Sequence, residues 1–440
     1  MRQADLPDVV IVNDRAFPGG GASKVALQSA VGLAQRGHRV IVFAAMGPAS
    51  RELIDAGIEV HLLGQADLAS GGRIKLAAQA LWNTKAADQL RSLLASTSRG
   101  HTIVHLHSWS KALSASVFAA AGRSGHPVVA TLHDYGFVCP NAALHDFQTG
   151  AACPRTPMSL NCIAGDCDAR ARIHKLWRVA RQISLSHFAR ATEVLAAAVC
   201  VTDYSRRIMR PFVSDRLEMT VIPNPIDVAD HGPAAPAQSN HFTYVGRFSR
   251  EKGVLIAAEA AERAGVPLVL VGDGELRPDV ARIAPSATIT GWLAAANVAQ
   301  AIRASRAVVV PSLWRETQGM VVPEALSAGV PVITATETAP AAAIEPGVTG
   351  LLFENGNATA LAHLLSRLAT NHRLVAALGD AAYRNYWQTP ATIDRHLDGL
   401  EALYDRVLSG QSKATTAGLT PLGSRVVPIP SPTAETKTSA

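Results

Sequence analysis

The stretch PSLWRETQGMVVPEALSAGVPVI, from Pro311 to Ile333, places two carboxylates, Glu316 and Glu324, in a chain of which only 17% of the residues are charged. Ionised carboxylates accept hydrogen bonds from paired hydroxyls such as those of a sugar. On a single helix two positions eight apart differ by about 80°, so the pair would not share a face. The spacing therefore predicts Glu316 in a loop and Glu324 in the first turns of a helix, touching different parts of one extended ligand. The plainer alternative is that both cap the helix and favour its dipole. Arg247 and Lys252, in VGRFSREKG, follow an apolar run and can supply two cations to a diphosphate. The helix beginning near Gly319 adds backbone N–H groups that favour an anion.

Such residues need elements to hold them. VVIVN (9–13) is a short apolar run of the kind that forms a buried strand. Gly19, Gly20 and Gly21 follow, then ASKVALQSAVGLAQRG, in which Val25, Ala26, Ser29 and Leu33 fall near one helical face and Gly37 is a stop. HRVIVFAA, IEVHLLG, TIVHLHS, PVVATLHD, AVCVTDYS and TVIPNPID read as further strands, and the pattern restarts with HFTYVGR, PLVLVGDG, ATITG, RAVVVPS, PVITA and TGLLF. Strands alternating with helices predict βαβ units and parallel sheets. The expected fold is α/β, with two Rossmann-like doubly wound domains, 1–222 and 241–390, facing across a cleft. The Pro- and Asp-rich stretch 223–240 reads as their linker. An amphipathic helix over 391–409 is expected to cross back to the first domain, and the Ser/Thr/Pro/Gly-rich tail 410–440 to be disordered. In open α/β sheets ligands lie outside the carboxyl ends of the strands, where His133, Arg247 and the Pro311 stretch fall.

A length of 440 residues suits two domains, and a hydrophobic fraction of 48% suits a full core. The net charge of +6 permits anionic partners without selecting one. Aromatic residues make up 5%, which argues against a nucleic-acid surface. No apolar run reaches 18 residues, so no transmembrane helix is expected. The start, MRQADLPDVVIVNDR, reads as a first strand and not a signal peptide. The expected location is cytoplasmic, with peripheral contact at the inner face of the membrane as an option.

VGRFSREKG, VGDGEL, ITGWL and the Pro311–Ile333 stretch resemble the C-terminal half of retaining glycosyltransferases of the GT-B fold, family 4 (group 1). VIPNPID resembles the segment before the second domain of that family, and the glycine loop, HLHSW and TLHDY agree with its first half. The resemblance covers nearly the whole chain except the tail. It implies hexosyl transfer with retention, from a UDP-, GDP- or ADP-sugar donor to a saccharide or lipid-linked saccharide acceptor, with no cofactor required. It implies Glu324 on the ribose hydroxyls, Glu316 on the transferred sugar, and Arg247 and Lys252 on the diphosphate. It further implies the N–H groups of Gly319, Met320 and Val321 on sugar or phosphate, and His133 reaching the sugar from the first domain. Gly20 and Gly21 are expected to contact the donor from a close-approach loop lining the cleft, with a plain tight turn as the alternative. Arg315 departs from the pattern, which often has an acidic or small residue there. The rival readings are a GT-B sugar phosphorylase or sucrose/trehalose-type synthase, and a catalytically silent nucleotide-sugar-binding protein.

Other motifs are weaker. GGGASKV fails the Walker pattern because Val25 follows Lys24. Asp166 and Asp168 form a D-x-D triplet, but in an irregular insert and not after a nucleotide-binding strand. That insert, 139–168, holds Cys139, Cys153, Cys162 and Cys167. Four thiols so close are expected to bind a structural zinc, or an iron–sulfur cluster; free thiols or a redox-dependent bridge is the alternative. Cys200, in AVCVT, reads as core. The segment His174–Gln182 alternates basic and apolar residues at helical spacing. It is either a solvated amphipathic helix or a face toward an anionic lipid-linked acceptor.

Overall fold

A computed structural model describes residues 6–65 and 78–410. The expected disorder of the tail falls, beyond residue 410, outside the described residues. Apolar runs, buried in the central strands and partly exposed at the sheet edges, become the strands of two parallel sheets, as expected where helices cover both faces. The first sheet holds β1 (Asp8–Arg15), β2 (Val40–Met46), β3 (Glu59–Leu62), β4 (Thr102–Leu106) and β5 (Val128–Leu132). A small antiparallel hairpin, β6 (His145–Asp146) and β7 (Ala151–Ala152), lies in the cysteine-rich insert. The sheet is completed by β8 (Ala197–Cys200) and β9 (Glu218–Val221), in the order β3-β2-β1-β4-β5-β8-β9. The second sheet holds β10 (Phe242–Val245), β11 (Leu268–Val271), β12 (Thr288–Gly291), β13 (Ala307–Val310), β14 (Val332–Ala335) and β15 (Gly350–Phe353). Its order is β12-β11-β10-β13-β14-β15. The strand order reverses between β1 and β4 in one sheet and between β10 and β13 in the other. Ligands collect at such switch points, so the two crevices fix where the site must be sought. The expected α/β class with two Rossmann-like sheets is the observed one.

The glycine loop runs into the helix Gly21–Gln35. That helix ends in a Schellman arrangement, with Gly37 at φ 98°, the Gly37 N–H donating to Ala34 O and the His38 N–H to Leu33 O. Gly32 on the same helix allows a close approach: a Cβ there would lie 2.6 Å from Leu397 Cδ1, so the leucine side chain would have to shift. Leu397 belongs to the last described helix, Ile393–Leu408, which buries Leu397, Leu400, Leu403 and Tyr404 with the first sheet's residues. Each such leucine contributes roughly 1.5–3 kcal/mol by leaving water. Arg36 holds the same helix through Asp394, Asp398 and Glu401 at 2.7–3.0 Å. No helix among the described residues is long and apolar enough to cross a membrane.

Candidate active site

The carboxyl end of β1 organises the first-domain wall. Asp14 accepts the N–H groups of Lys111, Ala112 and Leu113 at 2.9–3.0 Å, and Asn13 accepts that of Ser108. These bonds fix the loop after β4, which carries His107. His107 Nδ1 lies 3.0 Å from His133 Nε2, so one ring nitrogen donates to the other. The His105, His107 and His133 rings follow one another, with centroids 4.2 and 5.3 Å apart. Burial, reinforced by the neighbouring histidines, lowers all three pKa values, His105 and His133 to about 3 and His107 well below its usual value. The rings are neutral at ordinary pH.

The second-domain wall keeps its charge. Glu316 lies in the loop after β13 and is 7% exposed. Its Oε1 meets Lys252 Nζ at 2.7 Å and accepts Ser312 Oγ at 2.7 Å. Burial alone would raise the Glu316 pKa; the Lys252 ammonium and the hydrogen bonds outweigh it, so the carboxyl stays below its ordinary value. Lys252 also stands 5.2 Å from the Trp314 ring centre. Its position depends on Gly253, at φ 69°, where a Cβ would lie 1.9 Å from Pro311 O. Glu324 falls in the first turn of the helix Val321–Ser327. It has no comparable cation: burial pushes its carboxyl up to about 7, and Lys24 offsets this only in part.

The walls meet. Thr317 Oγ1 donates to His133 O at 2.8 Å, and Thr202 Oγ1 to Thr317 O at 2.6 Å. Two cavities of about 360 Å³ each open at this seam, sharing Gly21, Ala22, His133, Asp134 and Trp314. One is lined further by second-domain residues, with Lys252, Glu316, Gly319, Met320 and Val321 among them. The other is lined by first-domain residues such as Arg15, His107, Lys111 and Arg181, and includes Gly20 and Arg247. The structure thus brings together Gly20, Gly21, His133, Arg247, Lys252, Glu316, Gly319, Met320 and Val321. Glu324 lines neither cavity. His107, Asp14 and Trp314 carry no role in the sequence reading. The H-x-H alternation of HLHSW was a usable signal, since residues two apart on a strand face the same side.

The expected metal set is not assembled as a ligand cage. Among the described residues no group of three or more His, Cys, Asp or Glu side chains is placed to hold a metal ion. Cys162 and Cys167 instead contact the buried ammonium of Lys175, whose Nζ lies 3.5 and 3.3 Å from their sulfurs. Cys153 lies beside Arg155, and Cys139 is buried. A cation already fills the space between two of the four thiols. Asp168 is fully buried and pairs with Arg178 Nε at 2.8 Å, which gives it a structural partner.

Two family descriptions match the chain, Glycosyltransferase Family 4 over residues 19–230 and Glycosyl transferases group 1 over residues 239–371. The D-inositol 3-phosphate glycosyltransferase of Rhodococcus erythropolis is 29% identical over 395 residues, 83% of this chain and 82% of that protein. The GDP-mannose-dependent alpha-mannosyltransferase of Mycolicibacterium smegmatis is 34% identical over 168 residues, 37% of this chain and 43% of that protein, so the match spans less than half of that relative. Among solved structures, Anabaena HepE in complex with UDP superposes at a TM-score of 0.63 and 17% identity, over 90% of this chain and 99% of that one. Sucrose-phosphate synthase from Thermosynechococcus elongatus gives 0.66 at 20% identity, over 92% and 100%. The two matched spans follow one another along the chain, one on each of its parallel sheets, and the chain is a glycosyltransferase of family 4 (group 1) built on the GT-B fold.

Proposed function

We propose that the chain moves a hexosyl group, with retention, from a nucleotide-sugar donor to a saccharide or lipid-linked saccharide acceptor in polysaccharide or glycolipid synthesis. The observation that carries this reading is the pair of adjoining cavities sharing His133. The Lys252 side suits a donor, and the first-domain side suits an acceptor. Lys252 has three N–H donors and gives one to Glu316, leaving others for a diphosphate. Arg247, exposed at the seam, adds a second cation. Together with the N–H groups of Gly319, Met320 and Val321 they would meet the negative charge that develops on the leaving diphosphate, often the largest catalytic contribution. Glu316 would accept hydroxyls of the transferred sugar, and Glu324 those of the ribose. His133, being neutral, would orient the sugar through hydrogen bonds and not through charge. Front-face attack, with the leaving phosphate oxygen taking the acceptor's proton, fits a site with no evident nucleophile and follows from the family resemblance.

A relative that depends on GDP-mannose supports a nucleotide-linked donor. The sucrose-phosphate synthase likeness extends to the fold alone. The test is a panel of UDP-, GDP- and ADP-sugars measured for protection against thermal unfolding. A true donor at a hundred times its Kd stabilises by about 2.7 kcal/mol. Protection by none of the panel would reject the reading, and transfer that needs free phosphate or a soluble sugar acceptor would favour a phosphorylase or synthase.

A further inference from the structure

The helix Arg172–Ile183, RIHKLWRVARQI, is mounted with its polar side inward. Lys175, Arg181 and Gln182 are buried. Lys175 reaches the Cys162 and Cys167 sulfurs, Arg181 Nη2 donates to Pro140 O, and Gln182 Nε2 to Phe137 O. Ile173, Leu176, Ala180 and Ile183 are exposed. At 100° per residue these four fall within about 80° of one another, one continuous stripe. Phe188, 68% exposed, adjoins it across an open groove lined by Leu81, Trp82, Ala180 and Ser184. Leu160, 84% exposed, stands two residues before Cys162 on the neighbouring turn. Of the ten large exposed hydrophobic residues among the described ones, five (Leu160, Ile173, Leu176, Ile183 and Phe188) lie in this one region. Grouped apolar exposure of this kind marks an interaction surface.

Charge identifies the partner. Of the six Lys or Arg in residues 169–192, a span without Asp or Glu, Lys175 and Arg181 are buried and Arg178 pairs with Asp168, which leaves Arg170, Arg172 and Arg190 exposed, the last beside Glu193. Arg170 and Arg172 are exposed at the start of the stripe. An apolar stripe flanked by exposed basic residues matches a helix lying in a membrane interface. A second copy docking through the same face would bring these cations together, which opposes a symmetric dimer.

We propose that the outward face of Arg172–Ile183, with Leu160 and Phe188, docks this chain on an anionic phospholipid bilayer. Arg181 of the same helix lines the first-domain cavity. Docking would therefore set that cavity beside the lipid headgroups, where a lipid-linked acceptor presents its sugar. This last link rests on the transferase reading; the docking itself rests on the helix face.

Flotation of the full chain with vesicles of phosphatidylcholine, alone or mixed with phosphatidylglycerol, tests it. Binding is expected to the anionic vesicles, with little to the neutral ones, and to fall as salt rises from about 0.1 M to about 1 M. The combined exposed-residue variant Ile173→Ser, Leu176→Ser, Phe188→Ser should lose about tenfold or more in vesicle affinity, as should Arg170→Glu with Arg172→Glu. Donor protection against unfolding, read on the same samples, reports folding and the sugar-nucleotide site. Equal binding by the variants, no preference for anionic vesicles, or self-association abolished by the same changes would overturn the proposal. Vesicle binding without protection by any donor would leave the docking intact and count against the transferase reading.

Discussion

The two walls of the cleft deal with burial in opposite ways. On the second-domain wall Glu316 remains ionised because Lys252 and Ser312 compensate its desolvation. On the first-domain wall His105, His107 and His133 lie against one another, with Thr131 and the Tyr404 hydroxyl as polar neighbours, and shed their charge. Fixed charge and neutral hydrogen bonding thus adjoin at one seam. That is an arrangement in which a charged leaving group and a neutral sugar could be held side by side.

Breaking the charged wall should have the largest effect. Lys252→Ala is expected to lower kcat about a hundredfold, roughly 2.7 kcal/mol of transition-state stabilisation. It also leaves Glu316 buried without its cation, so the Glu316 pKa should rise. Steady-state kinetics with the identified donor check this, and an unchanged kcat would mean that the ion pair is structural only.

His133→Ala probes the neutral wall. A drop in kcat of about tenfold, near 1.4 kcal/mol, is expected, with affinity for the bare nucleotide unchanged by calorimetry. Equal weakening of nucleotide binding would show that the walls do not divide the donor as proposed. Because His133 stays neutral down to about pH 3, its titration should not shape the activity profile above that. It affects stability instead. The unfolded histidines take up protons below about pH 6.5, so stability should fall as the pH drops through that value toward 3.

Glu324 sharpens the contrast, as a carboxyl with burial but no close cation. Its folded pKa of about 7 exceeds the ordinary 4.5, so the unfolded state loses the proton first. Stability should therefore decline from about pH 4.5 to about 7 through this group, and Glu324→Gln should remove that decline in a melting series. Nucleotide affinity should strengthen a few-fold as the pH rises through 7, since the carboxylate is the better hydroxyl acceptor. Glu324→Ala should weaken nucleotide binding in a chain that remains folded. A flat affinity profile in the native chain would remove the ribose role.

The smallest effect expected is none. EDTA should leave transfer unchanged in short assays, because cationic side chains and not a metal face the diphosphate in this scheme. Prompt loss restored by Mg²⁺ or Mn²⁺ would return attention to Asp166 and Asp168.

Much of this protein was legible locally. Apolar runs such as VVIVN and AVVV announce strands buried on both faces, and Gly37 announces a helix end, because period and backbone freedom are properties of neighbouring residues. The eight-residue spacing placed Glu316 in a loop and Glu324 in a first turn for the same reason. Pairings across the chain were not legible. Lys252 and Glu316 are 64 residues apart, His107 and His133 are 26 apart, and the Thr317 bond to His133 spans 184 positions. Nor could spacing show that Lys175 sits between Cys162 and Cys167, or that the helix Arg172–Ile183 turns its apolar stripe to solvent. Periodicity reveals that a helix has two faces; only the packing of the finished molecule decides which one is buried, because that choice depends on what the rest of the fold offers each face.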